Sequence, residues 1–145
     1  MIRKYQEIDI HDVLRIWLTA SIKAHDFVDA SFWESQIENM RNIYIPASDV
    51  FVFEKNSKIV GFYAIHEDNL AALFVAPEFQ GQGIGKQLLE HAKNRRLTLT
   101  LLVYKENITS YQFYLSQGFE VMNEQIDAHT GHLEYKMCIR TTRCT

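Results

Sequence analysis

The chain is poor in the residues that break or staple a fold. Of 145 residues only two are proline, six are glycine and two are cysteine. Three of the glycines, Gly81, Gly83 and Gly85, fall in one short loop. With so few breakers elsewhere, most of the chain is expected in regular structure. Cys138 and Cys144 make no Cys-x-x-Cys pair, and the expectation is free thiols in a reducing cytoplasm. Excess positive charge is also missing. The net charge is −3, so no bulk electrostatic case for nucleic acid exists. No apolar run approaches the roughly 20 residues that span a membrane. The opening Met1-Ile-Arg-Lys-Tyr5 lacks the apolar stretch of a signal peptide. Internal repeats, linkers and low-complexity segments are lacking too. These absences set the expectation of a cytoplasmic protein, monomer or homodimer, with neither nucleic acid nor membrane as partner. A hydrophobic content of 47% argues against disorder. The length suits one domain over residues 1–145, with a sizeable core.

What is present is organised around Leu70 to Arg96. Leu70-Ala-Ala-Leu-Phe-Val-Ala76 is an unbroken apolar run of strand length, and Pro77 ends its ladder. Further on, Ile84, Leu88, Leu89 and Ala92 share one helical face, with Lys86, Glu90, Lys93 and Asn94 opposite. Strand, glycine loop and helix in that order create an anion site. The glycines let the backbone turn and approach a ligand closely. Free N–H groups and the positive end of the helix dipole face that ligand, for which a phosphate or pyrophosphate is the natural occupant.

Two familiar phosphate loops fail here. A Walker loop requires glycine and Ser/Thr at the positions held by Gln80 and Gln87. A dinucleotide fingerprint counted from Gly81 requires glycine where Lys86 stands. The pattern Gln/Arg-x-x-Gly-x-Gly/Ala is met by Gln80, Gly83 and Gly85, and it resembles the acetyl-CoA pyrophosphate loop of the GNAT acetyltransferases. A second stretch, Asn107-Ile-Thr-Ser-Tyr-Gln-Phe113-Tyr114-Leu-Ser-Gln-Gly118-Phe119, resembles that family's Asn-x-x-Ala-x-x-Phe-Tyr-x-x-x-Gly-Phe motif. Ser110 departs from it by replacing alanine, a small residue for a small one. The spacing leaves room for one helix and one strand between the motifs. The resemblance is strong over Leu70 to Phe119 and looser over the rest of the chain.

The remaining elements read in order. Ile2 to Tyr5 is a short strand. Asp9 is placed to cap a helix carrying Ile10, Val13, Leu14, Trp17 and Leu18. Ser21 to Asp29 reads as a break. Ser31 and Glu34 read as the capping box of a second helix, with Trp33, Ile37, Met40 and Tyr44 as its stripe and Pro46 beyond its end. Val50–Phe53 and Ile59–Ile65 are strands around a turn at 55–58, and 66–69 is a second turn into the central strand. Lys93, Arg95 and Arg96 suit the negative end of the glycine-loop helix. Thr98 to Tyr104 is a strand, Asn107 a helix cap and Gly118 a helix stop. Phe119–Met122 and Leu133–Ile139 are the last strands, and the tail from Arg140 is expected to fray. The loop between those strands holds His129 and His132, but no Cys or carboxylate framework supports a metal there.

The resemblance implies an α/β (α+β) fold: a mixed, mainly antiparallel sheet of about six to seven strands, with about four helices on both faces. It implies transfer of an acetyl group from acetyl-CoA to a primary amine, on a protein or a small molecule, by direct attack in a ternary complex. Binding alone, as an acyl-CoA sensor or interaction domain, is the alternative. The loop Gln80, Gly81, Gln82, Gly83, Ile84, Gly85 and Lys86 then holds the pyrophosphate. The backbones of Phe74 and Val75 meet the pantetheine arm, with Asn107 on its other side. A Val75 N–H serves the developing oxyanion. Tyr114 matches the family tyrosine beside the sulfur and serves as general acid. His25 and Phe27 resemble an element over the acceptor site. The general base is left open among Glu67, Asp68, His25, His66 and Tyr104, with Glu67 taken provisionally. No metal is expected.

Overall fold

A computed structural model of the chain describes residues 1–140; of the tail expected to fray, Arg140 instead ends the last strand, paired with Thr98, and residues 141–145, with Cys144, lie outside the described residues. The β-rich runs become seven strands: β1 (Ile2–Lys4), β2 (Asp49–Lys55), β3 (Lys58–His66), β4 (Asn69–Val75), β5 (Thr98–Tyr104), β6 (Glu120–Ile126) and β7 (Leu133–Arg140). They form one sheet in the order β1-β2-β3-β4-β5-β7-β6. Every neighbouring pair is antiparallel except β4 with β5. The helices are α1 (Ile10–Ala24), α2 (Ala30–Ser35), the single turn α3 (Ile37–Asn39), α4 (Ile84–Lys93) and α5 (Ile108–Ser116). This is the mixed, mainly antiparallel sheet with helices on both faces that the sequence implies.

Strand alternation divides the core in two. Val50, Val52, Phe62, Ala64 and Ala72 face α1 and α2 and bury Val13, Trp17 and Trp33. Phe51, Phe53, Tyr63, Ile65, Leu99 and Leu101 face the other way and receive α4. The α4 stripe of Ile84, Leu88, Leu89 and Ala92 is at most 3% exposed. Gly61 lets that helix sit close to the sheet: a β-carbon there meets Leu88 Cδ1 at 3.1 Å.

Local signals were overridden in several places. α1 runs on through Ser21 to Ala24, because Ile16, Trp17, Ala20 and Ser21 continue its buried face. Asp9 makes no cap to α1. Its carboxylate instead accepts from both terminal guanidinium nitrogens of Arg3 at 2.9 Å and from the Gln6 N–H at 2.8 Å. The cap of α2 is Asp29, which accepts from the Ser31 N–H at 2.9 Å, in place of the Ser31–Glu34 box. The second helix also breaks into short pieces, ending in a wide turn over Met40–Tyr44. Lys93, Arg95 and Arg96 have particular partners beyond the helix dipole. Lys93 donates to the Gln117 carbonyl, Arg95 lies over the Phe51 ring, and Arg96 bonds Asp49 and the Glu67 carbonyl. No helix among the described residues is long and apolar enough to cross a membrane.

Arg3 bridges Asp9 and Glu54 and so ties the start of α1 to the edge strand β1 and its neighbour β2. Asp9→Asn removes the charge behind those bonds, at an expected cost of about 2 kcal/mol at pH 7 in denaturant melts. Arg3, by its hydrogen bonds, holds the Asp9 carboxyl below the usual range. The stabilisation is therefore complete above the ordinary carboxylate pKa of ~3.9 and disappears as pH falls through the depressed value. The gap between wild type and D9N is expected to close in acid melts; a constant gap contradicts the assignment.

Candidate functional site

β4 and β5 run parallel but pair at one position, Asn69 with Thr100, and then separate. The register of β4 on β3 slips beside Ala64 and Ile65, leaving Ala71 without a partner. Beyond that bulge β3 still holds β4, and the Ala76 N–H donates to the Val60 carbonyl at 2.8 Å. Backbone groups alternate sides along a strand, so Leu73 and Val75 direct their N–H and C=O toward the gap. Phe74 directs its own toward β3, opposite Phe62, and contributes its side chain to the gap. Of the two backbones the resemblance pointed to, Val75 therefore faces the opening, and Leu73 joins it in place of Phe74.

The glycine loop closes one end. Gly81 and Gly83 have φ of +82° and +81°, and a β-carbon at either meets nothing within 4 Å. The left-handed backbone, not crowding, is what calls for glycine here. Gln80 is fixed from both sides: its Nε2 donates to the Val75 carbonyl at 3.1 Å and its Oε1 accepts from Lys23 Nζ at 3.3 Å. Gln82 turns away and accepts from Lys55 Nζ at 3.0 Å. No side chain caps α4, so the N–H groups of its first turn are left to a ligand.

The gap opens into a cavity of about 630 Å³. The loop residues Gln80, Gly81, Gly83, Ile84, Gly85 and Lys86 line it, as do Leu73, Phe74, Val75, Lys23, Asn107, Phe113 and Tyr114. Tyr114 is partly buried, and desolvation pushes its hydroxyl well above the ordinary phenol value. Asn107 caps α5 by accepting from the Ser110 N–H at 3.2 Å. That use of its oxygen leaves the amide nitrogen as the donor to His25 Nε2 at 3.2 Å. The imidazole therefore carries its proton on Nδ1. Burial pushes His25 down to about 4, against a smaller upward pull from the Ser21 backbone, so the ring is neutral at pH 7.

A second cavity of about 210 Å³ adjoins the first and shares Leu73, Phe74, Asn107, Ser110 and Tyr114 with it. Trp17, Ser21, His25, Trp33, Tyr104 and Glu134 complete its wall. Phe27 borders neither cavity. It packs edge-on against His25, Tyr104 and His132 at 5.8, 5.4 and 5.0 Å and backs that wall. Tyr104 donates to the Asp127 carboxylate, and His132 meets Glu106 at 2.8 Å, so the β6–β7 loop is tied down over the site. Glu67 lies in the β3–β4 turn with its side chain 83% exposed and borders neither cavity. Asp68 and His66 share that turn and also border neither. Glu134 escaped sequence reading because an acid in a strand that also carries Lys136 and Arg140 reads as solvent-facing. Its position across from Tyr104 turns it inward. No group of three metal-ligating side chains occurs among the described residues.

A sequence profile described as the acetyltransferase (GNAT) domain matches residues 46–121. The peptidyl-lysine N-acetyltransferase YiaC of Escherichia coli is 36% identical over 124 residues, 85% of each chain. The solution structure of apo YjaB from Escherichia coli superposes with a TM-score of 0.83 at 25% identity over 95% of each chain. The PaiA N-acetyltransferase of Thermoplasma acidophilum, solved with coenzyme A, superposes with a TM-score of 0.78 at 22% identity, covering 97% of this chain and 98% of that one.

Asn107 thus joins helix cap and imidazole. Asn107→Asp keeps the capping oxygen but sets a carboxylate against Nε2. The expected result is a folded protein whose His25 titration, followed by NMR, moves up from about 4; an unmoved titration contradicts the Asn107–His25 bond.

Proposed function

The chain belongs to the GNAT acetyltransferase family and is an N-acetyltransferase, and we propose that it moves the acetyl group of acetyl-CoA to the ε-amine of a lysine in a peptide or protein. The observation that carries this reading is the convergence on one cavity of an unpaired strand edge at Leu73 and Val75, a glycine loop at a helix N-terminus, and Tyr114. The lysine acceptor rests on the activity named for YiaC.

Each feature answers a chemical need of that transfer. The pyrophosphate takes the loop N–H groups from Gly81 to Lys86, with Lys86 and Lys23 adding positive charge. The pantetheine amides take the strand-edge groups of Leu73 and Val75, as an added strand would, and Asn107 closes the other side. Attack by the amine nitrogen on the thioester carbon turns the carbonyl oxygen into an oxyanion, which the preorganised Val75 N–H receives. As the C–S bond breaks, its electron pair leaves on sulfur. Tyr114 gives that sulfur a proton and recovers one from the nitrogen as the intermediate collapses. The raised pKa of the phenol keeps it protonated at pH 7. The acceptor reaches the thioester through the second cavity, between Trp17, Trp33 and Tyr104.

Titration calorimetry is expected to give micromolar binding of acetyl-CoA and none of ATP or NAD. Failure to bind acetyl-CoA removes the reading; binding without acetylation of any amine makes the chain a sensor. Tyr114→Phe is expected to keep acetyl-CoA affinity and lower kcat by ~10². Full turnover in Y114F removes the tyrosine from the role.

A further inference from the structure

A lysine ε-ammonium holds its proton at pH 7, with a reference pKa of ~10.4, and must lose it before attack. The acids at the β3–β4 turn border neither cavity. His25 has its one lone pair engaged by Asn107. The Tyr104 hydroxyl donates to Asp127, and burial raises its pKa. Asp26 and Glu106 line the first cavity; in the second, which Tyr114 also lines, the one carboxylate among the described residues is Glu134, only 8% exposed.

Three observations mark this cavity as built for a cation. Glu134 is half satisfied: Gln125 Nε2 donates to its Oε2 at 2.8 Å, and its Oε1 has no hydrogen-bond partner among the described residues. Neither Lys nor Arg lines the cavity among those residues. Ser21 Oγ, on the same wall, is buried without a partner and can accept from an ammonium group. Native proteins leave few such buried atoms unsatisfied, and an ionised carboxylate of low exposure is favoured by an opposite charge beside it. An ammonium group, which only donates, serves both the hydroxyl and the carboxylate oxygen.

We propose that Glu134 receives the ammonium group of an unbranched, lysine-type acceptor on Oε1 and takes its proton, directly or across one water. The inference rests on the acetyl-transfer reading above. The ammonium proton passes to Oε1, and the freed lone pair forms the C–N bond. The C–S pair leaves on sulfur, which takes the Tyr114 proton. The second nitrogen proton returns to Tyr114, and Glu134 passes its own to solvent. The groups facing Glu134 are Tyr104 on β5, Gln125 on β6, Asp127 and His129 in the β6–β7 loop, and His25 at the end of α1. Burial, with Asp127 adding to it, raises the Glu134 carboxyl and so makes it a stronger base.

The test compares wild type, Glu134→Gln and Glu134→Asp on a blocked lysine peptide. A second peptide carries S-(2-aminoethyl)cysteine, a less basic amine of similar length, in place of lysine. In E134Q, kcat/KM on the lysine peptide is expected to fall ~10², with acetyl-CoA affinity unchanged by calorimetry. The deficit shrinks on the less basic amine, and the acid limb of the kcat/KM profile disappears, whereas E134D keeps that limb. E134Q is expected to hold or raise Tm at pH 7, because a carboxyl with a raised folded-state pKa destabilises the fold once it ionises. Wild-type rates in E134Q, or equal deficits on both peptides with the acid limb intact, overturn the proposal. So does a wild type that binds acetyl-CoA but acetylates no lysine peptide. Loss of acetyl-CoA binding by the wild type overturns instead the reading beneath it.

Discussion

Two parallel strands that join at one residue pair and then part leave a row of backbone groups without a neighbour, and buried backbone groups need one. In this protein the split lies between β4 and β5, beyond Asn69 and Thr100. The rest of the molecule keeps that split open without unravelling the sheet. β3 grips β4 on its far edge through the Ala76–Val60 bond. α1 and α4 press on the two faces of the sheet. Gln80 bridges the Val75 carbonyl to Lys23 on α1, so the helix, the loop and the strand edge are fixed relative to one another.

Charge is sorted along the same opening. Lys23 and Lys86 stand where the glycine loop and the start of α4 expose N–H groups, which favours an anion. Glu106 and Asp26 line the same cavity, and Glu134 lies deeper, among Trp17, Trp33 and Tyr104 in the second cavity. A basic end and an acidic end joined past Tyr114 match two reactants of opposite charge meeting at an uncharged thioester. The aromatic wall also keeps His25 neutral by desolvation, so it adds no positive charge against a cationic acceptor.

Where sequence reading succeeded, the cause was local. The helical stripe of α4 and the backbone turn at the glycine loop depend on neighbours in the chain, and both stand where they were read. It failed where another partner outbid the expected one. Asp9 was read as a cap but bonds Arg3 and Gln6. Ser31 was read as a cap, yet Asp29 two residues earlier holds that place. Glu67 was taken provisionally as a base because its turn could place a carboxylate near the acceptor end of the sheet, but its side chain is exposed and borders neither cavity.

By itself, the sequence determined the strand–loop–helix unit and the second motif ending in Gly118 and Phe119; the fold and the type of chemistry came with the resemblance of those two stretches to the GNAT motifs. Both stretches are short-range matters, set by backbone conformation and periodicity. Only the tertiary structure decided which face each strand residue meets, that Leu73 and Val75 rather than Phe74 direct backbone groups into the gap, that Asn107 holds His25 82 residues away, and that Glu134 is turned inward. The reason is physical: the environment of a strand residue is fixed by its register against strands far off in the chain, and no local pattern encodes that register.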